Sequence, residues 1–148
     1  MAITESGIYG VTFEGALQNT LAIDWDLETH KGALFTDSIT PNFNTDTAYG
    51  VAPYDANETS GGSWPAGGVA VTGTAITLSG GTATFDATDV SQANSTVTSA
   101  MGYLLYAAAL SNEALILVDF ISAVTTVAGT LTITWNASGI WTVASASA

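Results

Sequence analysis

Apolar and polar residues alternate with a period of two along much of the chain after residue 69, as they do in half-buried β-strands. The clearest case runs from Thr74 to Phe85, where residues 79–82 (Ser-Gly-Gly-Thr) interrupt the alternation. A Gly-Gly pair suits a two-residue type I′ turn, because both central residues of that turn need positive φ. The pattern therefore predicts a β-hairpin with apolar residues on one face and threonines on the other. Its predicted pairs are Leu78 with Ala83, Ile76 with Phe85, and Thr77 with Thr84.

The C-terminal region carries a second alternating pattern, in which Leu131, Ile133 and Trp135 are separated by threonines. Residues 136–139 (Asn-Ala-Ser-Gly) fit a type I turn, because Asn is favoured at its first position and Gly at its fourth. We expect a second hairpin here, with a bulge at Gly139. Its predicted register places Trp135 opposite Trp141 and Ile133 opposite Val143.

The N-terminal region predicts one helix and one strand. Residues 23–28 alternate strictly between apolar and acidic side chains, which predicts a strand with Ile23, Trp25 and Leu27 facing inward. Before it, four apolar residues recur at helical spacing and predict a short amphipathic helix. These four residues are Phe13, Ala16, Leu17 and Leu21.

Further strands are predicted over residues 31–38, 95–106 and 114–120, which gives about eight short strands with turn signals between them. This spacing is typical of an antiparallel β-sandwich or jelly roll. We therefore predict an all-β fold with one short N-terminal helix. Residues 1–148 are long enough for one well-buried core, so a single domain is expected, with residues 1–29 as its N-terminal arm, helix and first strand.

A long segment of low regularity, residues 42–67, interrupts the strand pattern. It is rich in Asn, Asp, Thr, Gly and Pro, and it carries Tyr49, Tyr54 and Trp64. Loops of this length inside a compact domain are often functional, and large aromatic residues are enriched at protein interfaces. We therefore treat these three aromatic residues as interface candidates and the segment, with the N-terminal arm, as a candidate contact surface.

The charge composition excludes several classes of partner. Thirteen acidic residues face a single basic one, Lys31, and the formal net charge is −12. Proteins that grip nucleic acid, anionic membranes or phosphorylated cofactors need several Lys or Arg side chains, so none of these partners is expected. The first residues lack the pattern of a secretory signal, and the longest nearly apolar run, residues 100–110, is too short to span a bilayer.

Few residues offer chemistry. His30 is the only histidine and is interpreted as a solvated surface residue rather than a catalytic base, so no catalytic residue is predicted. Asp24, Asp26 and Glu28 would share one face of the predicted strand and form a weak Ca²⁺ candidate, although a solvated strand face explains them better. With no cysteine, no thiolate metal site is possible, and no cofactor is expected.

Three stretches of the sequence resemble a group of small virion proteins of tailed bacteriophages. They are HKGALFTDSITPNFNTDTAYG (30–50), SGGSWPAGGVAVTGTAITLSGGTATFDATDV (60–90) and GTLTITWNASGIWTV (129–143). The resemblance implies a capsid decoration (cement) protein, made in the host cytoplasm and bound to the major capsid protein on the head exterior. It also implies a homo-oligomer, with a trimer favoured, and it offers no catalytic residues to carry over. This chain departs from the group in its near-total lack of Lys and Arg.

Two other functions stay open from the residues alone. A carbohydrate- or receptor-binding module of a tail or cell surface would present an exposed Trp64 with neighbouring tyrosines as a stacking platform. A tail or tail-completion subunit would instead assemble into rings or tubes. In our strand interpretation the other three tryptophans face inward, so Trp64 is the residue on which the first alternative depends.

Overall fold

The computed structural model describes residues 2–145 of the chain. Over this range the fold is mostly β, with antiparallel sheets and one short helix, and it contains no helix long and apolar enough to cross a bilayer. In chain order the elements are β1 (Gly7–Ile8), α1 (Gly10–Leu17), β2 (His30–Phe35), β3 (Val69–Val71), β4 (Ala75–Ser79), β5 (Thr82–Asp86), β6 (Val90–Ser95), β7 (Ala100–Ala107), β8 (Glu113–Val124), β9 (Gly129–Ile133) and β10 (Trp141–Ala144).

A five-stranded antiparallel sheet with the order β1-β8-β7-β2-β3 forms the centre of the fold. Both of its faces are covered, so Tyr103 and Leu105 of β7 are buried on one face while Leu104 and Tyr106 are buried on the other. A strand that is buried on both faces reads as a continuous apolar run. This explains why β2 and β7 show no clean alternation in the sequence.

Different parts of the chain cover the two faces. The N-terminal arm and residues 39–54 pack on one face through Ile3, Tyr9, Ile39 and Tyr54. Two small sheets, with the orders β10-β5-β4 and β6-β9, belong to the other core. The predicted all-β antiparallel architecture with one short helix is thus confirmed, whereas a jelly-roll order of strands is not.

The first predicted hairpin is confirmed in register. Strands β4 and β5 pair Leu78 with Ala83, Ile76 with Phe85, and Thr77 with Thr84. The turn residues Gly80 and Gly81 have φ values of 54° and 77°, as a two-residue turn of the primed type requires.

The second predicted hairpin is wrong, although its turn forms. The amide N of Gly139 donates to the carbonyl O of Asn136 at 2.8 Å, but β9 pairs with β6 and β10 pairs with β5. Trp135 therefore does not oppose Trp141, which pairs instead with Phe85. Strand β9 pairs with the edge of β6, and β10 pairs with the edge of β5. Residues 134–140 therefore connect two different sheets.

The predicted strand over residues 23–28 is also wrong. The amides of Leu27 and Glu28 both donate to the carbonyl O of Asp24, at 3.3 and 3.0 Å, so the segment forms a turn. Trp25 alone is buried, against the rings of Phe85 and Trp141, while Leu27 is 80% exposed. The first strand is instead β1, which pairs with β8.

The helix exists, but it buries a different face from the one predicted. Its buried residue is Thr12, whose hydroxyl donates to the carbonyl O of Ala114 at 2.6 Å. Leu17, which the apolar spacing placed inward, is 74% exposed. The face of α1 that meets the protein thus carries Thr12, bonded to β8, and Val11, packed on the adjoining core.

Candidate interaction surface

Residues 42–67 pack into the protein instead of presenting their aromatic rings to partners. Tyr54 is 2% exposed and Trp64 is fully buried, so neither can anchor an interface as predicted. The ring of Tyr54 lies 5.1 Å from that of Phe35, and its hydroxyl is hydrogen-bonded to that of Tyr9. Trp64 packs at 6.5 Å from the ring of Tyr103 on the opposite face of the central sheet. A sheet with two apolar faces must be covered twice, and this segment supplies large side chains to both.

Tyr49 is half-buried and belongs to a hydrogen-bond network that holds the segment together. Its ring stacks on that of Tyr106 at 4.7 Å, and its hydroxyl donates to a Glu58 carboxylate oxygen at 2.9 Å. The other oxygen of Glu58 accepts the amide of Gly67 at 2.7 Å, and the hydroxyl of Tyr106 donates to the carbonyl O of Gly67 at 2.6 Å. Burial, together with Glu58, raises the pKa of Tyr49 to about 12. Tyr49 therefore helps to hold the segment together, and its part in an interface stays a prediction.

The acidic trio of Asp24, Asp26 and Glu28 lies in the turn described above, so no strand face aligns its carboxylates. Asp24 and Asp26 are exposed, and their shared hydrogen bond raises the pKa of Asp24. Within residues 2–145 no three acidic or histidine side chains are grouped so that they could hold a metal ion. The weak Ca²⁺ candidate therefore loses the geometry on which it depended.

His30 is buried, which corrects its interpretation as a surface residue. Its ring is 1% exposed and lies 5.9 Å from that of Phe85. Neither ring nitrogen has a hydrogen-bond partner within the described part of the chain. Burial lowers the pKa of His30, because a charged ring would lose its hydration in this apolar site. With its ring enclosed and unoriented, His30 lacks the partners that a general base needs.

Charged residues are segregated along the chain, a signal present in the sequence that our residue-by-residue interpretation missed. All thirteen acidic residues and Lys31 lie within residues 5–58 and 86–119. The segments 59–85 and 120–148 carry no Asp, Glu, Lys or Arg at all. The structure joins these two uncharged segments, which are far apart in sequence, in the small sheet β10-β5-β4.

The apolar face of this small sheet extends beyond the core. Residues paired directly across strands, or two apart along one strand, point to the same face. The row formed by Ile76, Phe85 and Trp141 meets the core, where Phe85 is fully buried. The next row consists of Leu78, Ala83 and Val143, and here Leu78 is 77% and Val143 49% exposed. We call this second row, together with the partly exposed Ile76, the apolar overhang.

The overhang lies between two free strand edges. Strands β4 and β10 each pair only with β5 in the described part of the chain, so their outer backbone groups have no strand partner. The reverse face of the sheet carries a row of three threonines, which is equally uncharged. That row is Thr77, Thr84 and Thr142.

An apolar cleft of about 520 Å³ forms a second uncharged feature on the surface. It opens between β1 and β8 on one side and residues 132–140 on the other, and no charged residue lines it. Its apolar walls come from half-buried side chains at the margin of the core. These are Ile8, Val118, Phe120, Trp135 and Ile140, together with the buried Ile116 and Ile133.

The overhang and the cleft offer aliphatic side chains, threonine hydroxyls and free strand backbone, which is the chemistry of noncovalent packing. Comparison with protein-family models, with curated proteins and with solved structures finds no match for this chain. We refer to the overhang and the cleft together as the candidate interaction surface.

Proposed function

We propose that this chain is a non-enzymatic structural subunit of a tailed-phage virion, and specifically a capsid decoration protein. It would bind the major capsid protein on the head exterior as a homo-oligomer, with a trimer favoured. One observation carries the proposal most directly. Within residues 2–145 of this chain, whose net charge is −12, five of the eight large exposed aliphatic side chains lie in the two uncharged segments, and three of these five share the overhang.

That surface has the composition of an interface. The cores of protein interfaces are depleted in charged residues, and exposed apolar patches on soluble proteins mark interaction sites. The overhang exposes Leu78 and Val143 and includes no charged residue, and no charged residue lines the cleft. A subunit that packs against other subunits needs such a surface, whereas an isolated acidic protein has no use for it.

The charge balance supports a place on the outside of a particle. A protein that touched the packaged genome would need Lys and Arg side chains to neutralise phosphates, and this chain has only Lys31. Acidic residues on the remaining surface keep the subunit soluble before it assembles. The resemblance of residues 30–143 to small phage virion proteins supports the same class of function.

The carbohydrate-binding alternative has lost its main support. It depended on an exposed Trp64, and this residue is fully buried. The tail-subunit alternative differs from ours in location and in forming rings or tubes, so the same experiment separates the two.

The test is to locate the chain on particles of the phage that encodes it. Antibodies raised against the purified chain would be used for immunogold electron microscopy of intact virions, with mass spectrometry to count copies. We expect gold on the head surface and a copy number that is a multiple of the capsid symmetry. Gold on the tail would establish the tail alternative instead, and absence of the chain from purified virions would overturn both.

Loss of the chain provides a functional readout. Heads lacking a decoration protein should release DNA at a lower temperature than complete heads, and added purified chain should restore the original value. A control chain with Leu17→Glu, altered on α1, which packs through Val11 on the other core from the small sheet, should restore it equally well. Heads that are equally stable with and without the chain would count against a cementing role.

A further inference from the structure

We infer that the apolar overhang is a homotypic contact, in which the rows of Leu78, Ala83 and Val143 from two copies of this chain pack against each other. We rest this inference on the proposed function in one respect only, that the chain works as an assembled subunit. Association in solution needs no capsid, so the two proposals can fail separately.

The overhang extends the apolar face of the small sheet beyond the part that the core covers. Ile76, Phe85 and Trp141 form one row across the small sheet, and Phe85 is covered by Trp25 and His30. The next row along the same face has the same apolar character but is only partly covered within residues 2–145, since Ala83 is half-buried, Val143 is 49% exposed and Leu78 is 77% exposed. A matching apolar row from outside the chain would complete the packing that the core begins.

Charge decides which partner fits. Two copies carrying a net charge of −12 each repel one another, and the repulsion is smallest when they meet through surfaces without acids. The small sheet carries one charged residue, Asp86, which pairs with Ala75 at the end of the hairpin away from Leu78. A basic partner would be attracted to the acidic surfaces elsewhere and would find no charge complement on the overhang.

A second copy of this chain supplies an apolar row to cover the overhang and a contact surface without acidic residues. It brings an equally neutral, equally apolar row and keeps its own acidic segments away from the contact. Contact of one patch with the same patch on a second copy closes as a two-fold dimer, the commonest closed oligomer, so the trimer favoured above would need a further contact between two different patches. The free edges of β4 and β10 border the overhang, so backbone pairing can extend the contact on either side.

The size of the overhang sets the expected strength. Stable interfaces bury about 800 Å² on each partner, and a single row with Ile76 supplies only part of that area. We therefore expect association with a dissociation constant of about 10 to 100 μM in solution. Because salt screens the repulsion between acidic copies, raising the ionic strength should tighten the association.

The experiment is sedimentation equilibrium of the full chain between about 5 and 500 μM, a range that spans the expected constant. Leu78→Glu places one charge in the overhang and should weaken association by about tenfold or more, since burying an unpaired carboxylate is costly. Leu17→Glu is the matched control, because it adds the same charge at a leucine of nearly equal exposure, 74% against 77%, on α1. Its association should stay within about threefold of the wild type.

Val143→Thr is a second variant that avoids a new charge. It replaces a 49% exposed side chain on β10 by one of similar shape and strand preference, so folding should be kept while apolar contact is lost. We expect it to weaken association less than Leu78→Glu does. Circular dichroism spectra identical to the wild type would confirm that each variant is folded.

Two results would overturn the inference. The wild type could sediment as a monomer at every concentration and salt, or Leu78→Glu and Leu17→Glu could weaken association equally. A monomeric chain that is nevertheless found on phage heads would overturn the homotypic contact and leave the proposed function standing. A chain that self-associates through Leu78 but is absent from virions would do the reverse.

Discussion

The segments 74–86 and 129–144 carry nearly the same sequence pattern but adopt different structures. Each alternates apolar residues with threonines on both sides of a turn that ends or centres on glycine. The first segment forms the β4–β5 hairpin in the register that the pattern predicts. The second forms its turn, but its two strands join different sheets, β9 beside β6 and β10 beside β5.

The difference shows that alternation and a turn do not by themselves decide which strands pair, because β6 and β5 each offer an edge to one strand of the second segment. Between β4 and β5 only Gly80 and Gly81 intervene, and both adopt the positive φ that brings the strands back together. Residues 134–140 separate β9 from β10, and the chain here forms other bonds. The amide of Trp135 donates to Asp89 at 2.9 Å, and the amide of Ile140 donates to the carbonyl O of Phe85 at 2.8 Å.

The largest effect is expected from Phe85→Ala, which breaks the row that attaches β10. The ring is fully buried against Trp25 and Trp141, so its removal should lower the free energy of unfolding by about 3–5 kcal/mol, measured by urea denaturation. Hydrogen exchange should rise more in β10 than in β4, because the turn still ties β4 to β5.

Phe120→Ala is the control for this prediction. Phe120 is half-buried beside the cleft, so its loss should cost about half as much and should leave exchange in β10 unchanged. Equal protection of β4 and β10 in Phe85→Ala would show that the row at Phe85 does not hold β10 in place.

A smaller effect is expected from the turn glycines, and here the two segments can be compared directly. At Gly139, with φ 95°, an added Cβ would lie 2.4 Å from Thr84 Cγ2 and 2.9 Å from the carbonyl O of Phe85. At Gly80, with φ 54°, it would meet nothing within 4 Å. Gly139→Ala should therefore cost about 2–3 kcal/mol in free energy of unfolding and Gly80→Ala about 1 kcal/mol. Equal costs would mean that the close contact of Gly139 with β5 does not restrict this position.

The buried His30 should make the free energy of unfolding depend on pH. Its pKa is lowered by burial, so below its ordinary value of 6.5 the unfolded chain takes up a proton that the folded chain does not. The free energy of unfolding should then fall as pH falls, by at most about 1.4 kcal/mol per pH unit for this one group. Glu113 acts in the opposite direction, since burial raises its pKa and the folded chain gains its proton first.

His30→Gln isolates the histidine from Glu113 and the other acids. Denaturation midpoints measured between about pH 7.5 and pH 5.5 should fall less in this variant than in the wild type, because Gln does not titrate. Parallel pH profiles for the two proteins would show that His30 is protonated equally in the folded and unfolded states.

The smallest effect is expected at Leu78. Leu78 and Leu131 are both apolar residues of an alternating strand, one in each of the two segments. Leu78 is 77% exposed and Leu131 is 6% exposed. Leu78→Ala should therefore change the free energy of unfolding by less than about 0.5 kcal/mol, while Leu131→Ala should cost about 2–5 kcal/mol. The measurement should use about 1 μM protein, below the concentration at which copies would associate. A large cost at Leu78 in this dilute sample would indicate that the monomer itself covers the overhang.

Much of the fold could be predicted because it depends on local chemistry. Alternation with turn signals predicted an all-β antiparallel protein, and the Gly-Gly turn predicted the register of β4 and β5. The errors arose where a residue's surroundings came from distant parts of the chain. Trp64 follows glycines in an irregular segment that looks exposed, yet the far face of the central sheet buries it. His30 was predicted to lie on the surface at the end of a strand, but Phe85 of the small sheet packs against its ring.

The sequence indicated only part of the candidate interaction surface. The uncharged segments 59–85 and 120–148 can be found by noting where acids are missing, but nothing local indicates that the two meet. Pairing of β10 with β5 brings them together and leaves Leu78 and Val143 in one row.

The sequence by itself determined the class of fold and the β4–β5 hairpin, and its charge predicts that partners needing basic residues do not bind. Each of these depends on side-chain periodicity, on backbone freedom at glycine or on net charge, which need no knowledge of distant contacts. Only the tertiary structure decided which strands share a sheet, which aromatic rings are buried and where an apolar face is left uncovered. Those outcomes depend on which strand edges pair and which apolar faces pack together. Both involve residues that are far apart in the sequence, so they are decided only when the whole chain packs.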